Sequence, residues 1–315
     1  MRGFRVARIF SLICASKSAL SWFIVLVAVL GKGEDATTHL FLAGGGYVPD
    51  KALTKFLTLA KEQGKTPRLL VISWASAYSK DPNDPKSQTP AESAAKTFRE
   101  FSARVTGITP AEIKKAPDPE QMETYASVFL DQVAWATAIF FTGGNQNLIM
   151  DVLNANPRLT EALRFRFLNG CPVGGTSAGT AIMSRFMFTG EGNFKVIDGR
   201  AVTTAPSLGF ITSALVDTHF IVRMRENRLF GVLLAGLAKI GLGLDEDGAL
   251  EITDDQIAEN VGPQLIMVVD AVEHPGKLLV DLIRPGDIYD LVKRQKIGVT
   301  PTPANAPNEI AQAPE

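Results

Sequence analysis

The chain has 315 residues, 46% of them hydrophobic, and carries 32 basic against 33 acidic side chains for a formal net charge of -1. That length suits one α/β domain with a sizeable core. The balanced charge excludes the electrostatic footprint of a nucleic-acid binder, and the three histidines and two cysteines lack any metal-ligand spacing.

Arg2, Arg5, Arg8 and Lys17 accompany an apolar run from Ala19 to Leu30, after which come Gly31 and the polar stretch Lys32 to Thr38. A basic start, a short apolar centre and a small residue at its end read as a secretory signal peptide over residues 1–31. The run is shorter than the roughly 20 apolar residues of a spanning helix. The expectation is a secreted or periplasmic protein, free of the membrane once the leader is removed. Ile13 stands before Cys14 where a lipidation signal places a small residue. Removal of the leader leaves Cys171 alone, so no intrachain disulfide is expected.

His39 to Ala43 reads as a buried strand ending at Gly44-Gly45-Gly46, and Lys51 to Gln63 has the apolar spacing of a helix. Arg68 to Ile72 is a second strand, 79–89 a proline-bearing loop, and Ala91 to Val105 an amphipathic helix. A strand over Ala136 to Phe141, a Gly143-Gly144 turn, helices from about Gln146 and around Thr160 to Leu168, and a strand near Cys171 to Gly174 continue the rhythm. Such alternation predicts a three-layer α/β fold, a mostly parallel sheet with helices on both faces. Ala249 to Ile252, Gln264 to Val272 and Leu278 to Ile283 read as further strands extending that sheet at an edge or as a hairpin. One domain is expected over residues 39–298. The segment 299–315, rich in Pro, Ala and Asn, is expected to be a disordered tail.

Gly175-Thr176-Ser177-Ala178-Gly179 lies between that last strand and the apolar stretch Ala181-Ile182-Met183. A G-x-S-x-G turn from strand to helix holds a serine hydroxyl above the sheet, beside backbone N–H groups and the positive end of a helix. The same glycine-rich turn also serves packing or phosphate binding. A nucleophilic serine needs an adjacent base. His39 opens the first strand and His274 sits in the turn Glu273-His274-Pro275-Gly276, whereas His219 ends the strand-like Leu215 to Phe220, where α/β folds place functional groups. The orienting carboxylate that such a pair requires is available from Asp245, Glu246 or Asp247, all at the end of the apolar Gly241 to Leu244.

Phe141-Thr142-Gly143-Gly144-Asn145-Gln146, then Gly175 to Gly179, then Asp217-Thr218-His219-Phe220 with Arg223, Arg225 and Arg228, then Gly243-Leu244-Asp245-Glu246, resemble in order and separation cyanophycinase and its relatives. That serine peptidase family also includes the aspartyl dipeptidases. The resemblance, over roughly residues 39 to 285, implies a class I glutamine amidotransferase-like fold, Ser177 as nucleophile, His219 as base and Glu246 as orienting acid. It implies oxyanion donors at the Gly144 and Ala178 N–H groups, and substrate-binding positions at Gln146, Asp217, Thr218, Arg223, Arg225 and Arg228. No cofactor is implied, the partner is a peptide substrate, and a homodimer follows by analogy alone.

Guanidinium groups suit bidentate capture of aspartate carboxylates, and Asp217 is suited to a substrate arginine. Taken without the family, Arg225 and Arg228 at i and i+3 read as a solvated helix face. Thr218 stands where the family has glutamine and Asn145 where it has aspartate, so the catalytic set matches more closely than the pocket. An α/β-hydrolase esterase using His274, with Gly44-Gly45-Gly46 as oxyanion donors, is a competing enzyme reading. A secreted domain that binds an acidic ligand through its arginines is the non-catalytic one. Three adjacent glycines do not supply a dinucleotide fingerprint.

Overall fold

The structure, a computed structural model, describes residues 36–63, 66–76, 113–271 and 276–299. The expected leader, the 79–89 loop, the 91–105 helix, the His274 turn and the tail beyond Val299 lie outside the described residues. In chain order the elements are β1 His39–Ala43, α1 Asp50–Glu62, β2 Leu69–Ile72, β3 Ile113–Lys115, α2 Met122–Trp135, β4 Ala138–Phe141, α3 Gln146–Ala155 and α4 Pro157–Leu168. There follow β5 Val173–Thr176, α5 Ala178–Ala181, β6 Phe186–Gly192, β7 Val202–Pro206, β8 Leu215–Thr218, α6 Glu226–Leu234 and β9 Ile240–Leu244. The chain closes with β10 Ala249–Thr253, β11 Ile257–Asn260, β12 Ile266–Asp270, β13 Leu279–Ile283, β14 Asp287–Asp290 and β15 Gln295–Val299.

Nine strands form the main sheet in the order β15-β14-β11-β10-β1-β5-β4-β2-β3. The block from β1 through β5, β4 and β2 to β3 is parallel, as the alternation predicts. On the other side of β1 the sheet continues as an antiparallel run through β10, β11, β14 and β15. Alternation along β1 sorts its side chains to two faces. Phe41 and Ala43 meet α1, whose Phe56 ring lies 5.5 Å from Phe41 and 5.8 Å from Phe140. Leu40 and Leu42 join the opposite core, filled by Phe129 and Val133 of α2, Ile149 and Leu153 of α3, and Leu159 and Leu163 of α4. Each fully buried side chain of this kind contributes about 1.5–3 kcal/mol. Helices therefore cover both faces of the parallel block.

The later strands part company with the expectation. Ala249 to Ile252 enters the main sheet beside β1, but β12 and β13 leave it for a second sheet ordered β13-β12-β9-β8. Glycines in β9 open that sheet to close packing: a Cβ on Gly241 would lie 2.8 Å from Leu229 of α6, and one on Gly243 would lie 2.3 Å from Phe220. A β6–β7 hairpin and helix α2, neither anticipated, complete the domain. Among the described residues no helix is long and apolar enough to cross a membrane.

Candidate active site

Strand β5 delivers Ser177 through a turn that only small neighbours permit. A Cβ on Gly175 would sit 2.3 Å from the Gly179 carbonyl oxygen, and one on Gly179 would sit 2.3 Å from the carbonyl oxygen of Phe141 on β4. Ser177 itself has φ 52° and ψ -113°, a conformation that costs a non-glycine residue roughly 1–3 kcal/mol. Its backbone is held on both sides. The N–H donates to the Ala43 carbonyl at 3.0 Å, and the Ser177 carbonyl accepts from Thr180 and Ala181, each at 2.9 Å. The Thr180 hydroxyl, 2.7 Å from the Ala43 oxygen and 2.8 Å from that of Gly175, ties the turn to both strands. The helix after the serine is a single turn, Ala178–Ala181, so the individual N–H groups there outweigh any macrodipole.

His219 and Glu246 arrive from the second sheet. His219 follows β8 with φ 48°, and its N–H donates to the Gly44 carbonyl at 2.9 Å. Its Nε2 lies 2.6 Å from Ser177 Oγ, and its Nδ1 lies 2.6 Å from Glu246 Oε1 in the turn after β9. A neutral imidazole with its proton on Nδ1 donates to the carboxylate and presents Nε2 as acceptor for the serine hydroxyl. The imidazole is 8% exposed and the carboxylate 39%. Burial holds the His219 pKa below its ordinary 6.5, opposed by the Glu246 hydrogen bond and reinforced by the Arg223 charge.

The triple glycine forms the back wall of this arrangement, a role that sequence reading missed. A Cβ on Gly44 would meet the Asp245 carbonyl at 2.0 Å, one on Gly45 the His219 ring at 2.2 Å, and one on Gly46 the Asp247 carboxylate at 2.7 Å. Gly45 has φ 121°, and its carbonyl accepts from the Asp247 N–H at 2.9 Å, which fixes the turn carrying Glu246.

Gly143 and Gly144 lie on the other flank of the serine. A Cβ on Gly143 would be 3.3 Å from Ser177 Cβ, while Gly144, at φ 139°, is pressed against the Ala75 carbonyl. Among the described residues the N–H groups of Gly144 and Ala178 donate to no backbone carbonyl, which leaves both available for a developing oxyanion.

The expected substrate positions divide sharply. Asp217 and Arg228 are both buried and hold each other: Arg228 Nε donates to Asp217 Oδ2 at 2.6 Å, with a second contact from Nη2 to Oδ1. The guanidinium also lies over the rings of Phe188 and Phe194, at 4.5 and 4.8 Å. This corrects two readings. Arg228 is not on a solvated face, and the Asp217 carboxylate, which also accepts the Thr218 N–H at 2.8 Å, is already committed and not free for a substrate arginine. Thr218 is buried, and Arg225 donates from Nη1 to its carbonyl at 2.7 Å. Burial and the neighbouring Arg228 charge pull the Arg225 pKa down to about 10. Gln146 donates to the Phe188 carbonyl at 2.6 Å and Asn147 to that of Thr189 at 3.1 Å, so the start of α3 clamps β6. Asn145 caps α3 through the Asn147 N–H. Arg223, its side chain 52% exposed and 4.0 Å from Glu246 Oε1, is the arginine of the three most open to solvent.

The match to known proteins agrees with this geometry. The chain is 35% identical over 143 residues to a cyanophycinase of Geminocystis herdmanii, covering 45% of this chain and 52% of that protein. It is 31% identical over 197 residues to a cyanophycinase of Synechococcus elongatus, covering 62% and 59%. The chain thus spans little more than half the length of these curated relatives. A solved peptidase from an acI-B1 Actinobacterium shares the fold, with TM-score 0.61 at 21% identity over 80% of this chain and 96% of that one. The model of peptidase family S51 matches residues 40–260, a stretch that runs from β1 through β11 and carries the serine, the histidine and the glutamate together, and the chain accordingly belongs to peptidase family S51.

Proposed function

We propose that the protein is an exported serine-type exopeptidase in which Ser177 is the nucleophile, His219 the general base and Glu246 the orienting acid. The observation that carries this reading is the unbroken line of contacts from Ser177 Oγ to Nε2 and from Nδ1 to Glu246 Oε1, each 2.6 Å. Ser177 Oγ attacks the peptide carbonyl carbon and its proton passes to Nε2. The Gly144 and Ala178 N–H groups receive the oxyanion; losing one such donor typically lowers the rate about 100- to 1000-fold. The C–N bond breaks as Nε2 returns the proton to the leaving amine. Water then attacks the acyl ester, giving up a proton through Nε2 to Ser177, and the acid product leaves.

Aspartate-rich or β-aspartyl peptides are the proposed substrate class, with cyanophycin the leading candidate. The relatives named above support that choice, as does the open guanidinium of Arg223 beside Glu246, suited to a substrate carboxylate. The three-layer arrangement is read as class I glutamine amidotransferase-like. Export rests on the leader, and N-terminal sequencing of protein recovered outside the cytoplasm tests it.

The decisive experiment is incubation of the purified protein with insoluble cyanophycin, mass spectrometry of the soluble products, and labelling by a serine-directed reagent. Release of β-aspartyl-arginine with labelling at Ser177 is the expected result. Labelling without release assigns the enzyme another aspartyl peptide, and failure of Ser177 to label rejects the peptidase reading.

A further inference from the structure

Strands β8 and β9 carry the catalytic candidates at their C-terminal ends, and a cavity of about 580 Å³ opens at their N-terminal ends, lined by Leu215 and Ile240. That volume lies within the roughly 300–1,000 Å³ of small-molecule sites. Strands of this length span about 13 Å, so the cavity and Ser177 are separate places in the fold.

Its chemistry has two parts. Phe186, Leu215, Ile240 and Leu291 supply an apolar lining, whereas Arg185, Lys239 and Arg294 bring three cations from three different loops. The lining contains no acid. Nearby carboxylates are already engaged: Asp270 lies 3.4 Å from Arg294, and Asp255 accepts the N–H groups of Thr212 and Ser213 at 3.0 and 3.1 Å. Among the described residues Arg185 and Lys239 have no acidic partner. The wall is also preformed, since Ser184 Oγ accepts the Val216 N–H at 3.0 Å and Asp255 pins the 212–213 loop. A shaped, partly apolar lining beside two cations without an acidic partner, Arg185 and Lys239, favours a ligand with an apolar body and an anionic end.

We propose that this cavity is a second binding site, independent of the serine, for a small organic anion with an apolar body. The probe is 8-anilinonaphthalene-1-sulfonate, titrated by fluorescence into the full chain, with neutral N-phenyl-1-naphthylamine as its uncharged counterpart. The expected result is saturable binding of one sulfonate per chain, weakened at least about tenfold by the double substitution Arg185→Glu and Lys239→Glu and by raised salt. The neutral compound should respond to neither. Both substituted residues are exposed, and an unchanged circular dichroism spectrum and thermal midpoint verify that the variant is folded. Ser177→Ala should bind the sulfonate like the parent chain. Absence of binding, a loss of less than tenfold in the double variant, or an equal loss for the neutral compound overturns the proposal. None of these readouts depends on peptidase activity.

Discussion

The two halves of the candidate site are held by different means. On the nucleophile side backbone and glycine dominate: Ser177 is fixed by main-chain hydrogen bonds and by contacts at Gly175 and Gly179 too close for any side chain, with the Thr180 hydroxyl tying the turn to both strands. On the base side a side-chain contact adds to the backbone, with the His219 N–H bonded to the Gly44 carbonyl and its ring bonded to a partly exposed Glu246 and pressed against Gly45. The serine position is therefore tied directly to the main-sheet core, whereas the imidazole depends in addition on a contact with a partly exposed carboxylate. Substitutions on the two sides should fail in different ways, one through stability and the other through rate.

The largest effect is expected from His219→Gln, which should lower kcat about 10⁴- to 10⁶-fold on a cleavable aspartyl peptide while leaving the thermal midpoint nearly unchanged. A large drop in Tm would mean that the base side also carries the fold, which breaks the contrast. Glu246→Gln should follow with a loss of about 10⁴-fold, because the imidazole loses both its orientation and its stabilised charged form. A loss below about tenfold in steady-state assays would assign the orienting role to another acid.

The paired glycine variants sharpen the comparison most directly. Gly175→Ala should destabilise the domain by about 3 kcal/mol or more by overpacking, visible as a lower urea midpoint. Gly45→Ala should instead cost about 100-fold in rate by moving the imidazole, with a smaller shift in that midpoint. Equal shifts in stability from the two would erase the distinction.

Arg223→Ala should have the smallest effect on kcat, its loss raising KM for a substrate carboxylate. The positive charge helps to depress the His219 pKa, so its removal should raise that pKa and move the acidic limb of the kcat/KM profile to higher pH. A limb that stays in place or moves down contradicts the assigned electrostatics. The same depressed pKa has a consequence for stability. Its contribution is fully present above the ordinary 6.5 and is lost as pH falls through the lower folded value, because the unfolded chain binds the proton more readily.

That Ser177 and His219 come together is legible in the sequence because the glycine turn is local and histidine is scarce. Glu246 was not separable from its neighbours by pattern, and the structure explains why: Asp245 accepts the Val222 N–H at 3.2 Å and Asp247 that of Tyr47 at 2.7 Å. All three acids have positioned contacts, and only their distant partners distinguish them. Arg228 looked solvated because its spacing from Arg225 is that of a helix surface. Its burial depends on Phe188 and Phe194, supplied by or beside a hairpin that weak local patterning left unread. Their runs of apolar residues mark β12 and β13 as strands, but sheet membership depends on pairing with β9, which local composition does not encode.

The carbonyl of Gly44 receiving the His219 N–H is where β1 of one sheet meets the end of β8 of the other. The reactive pair is thus a product of docking rather than of any continuous stretch of chain. On the proposed assignment, a chain in which that seam has not closed leaves Ser177 without the imidazole as its proton acceptor. On that assignment, completion of the tertiary structure is itself the activating event.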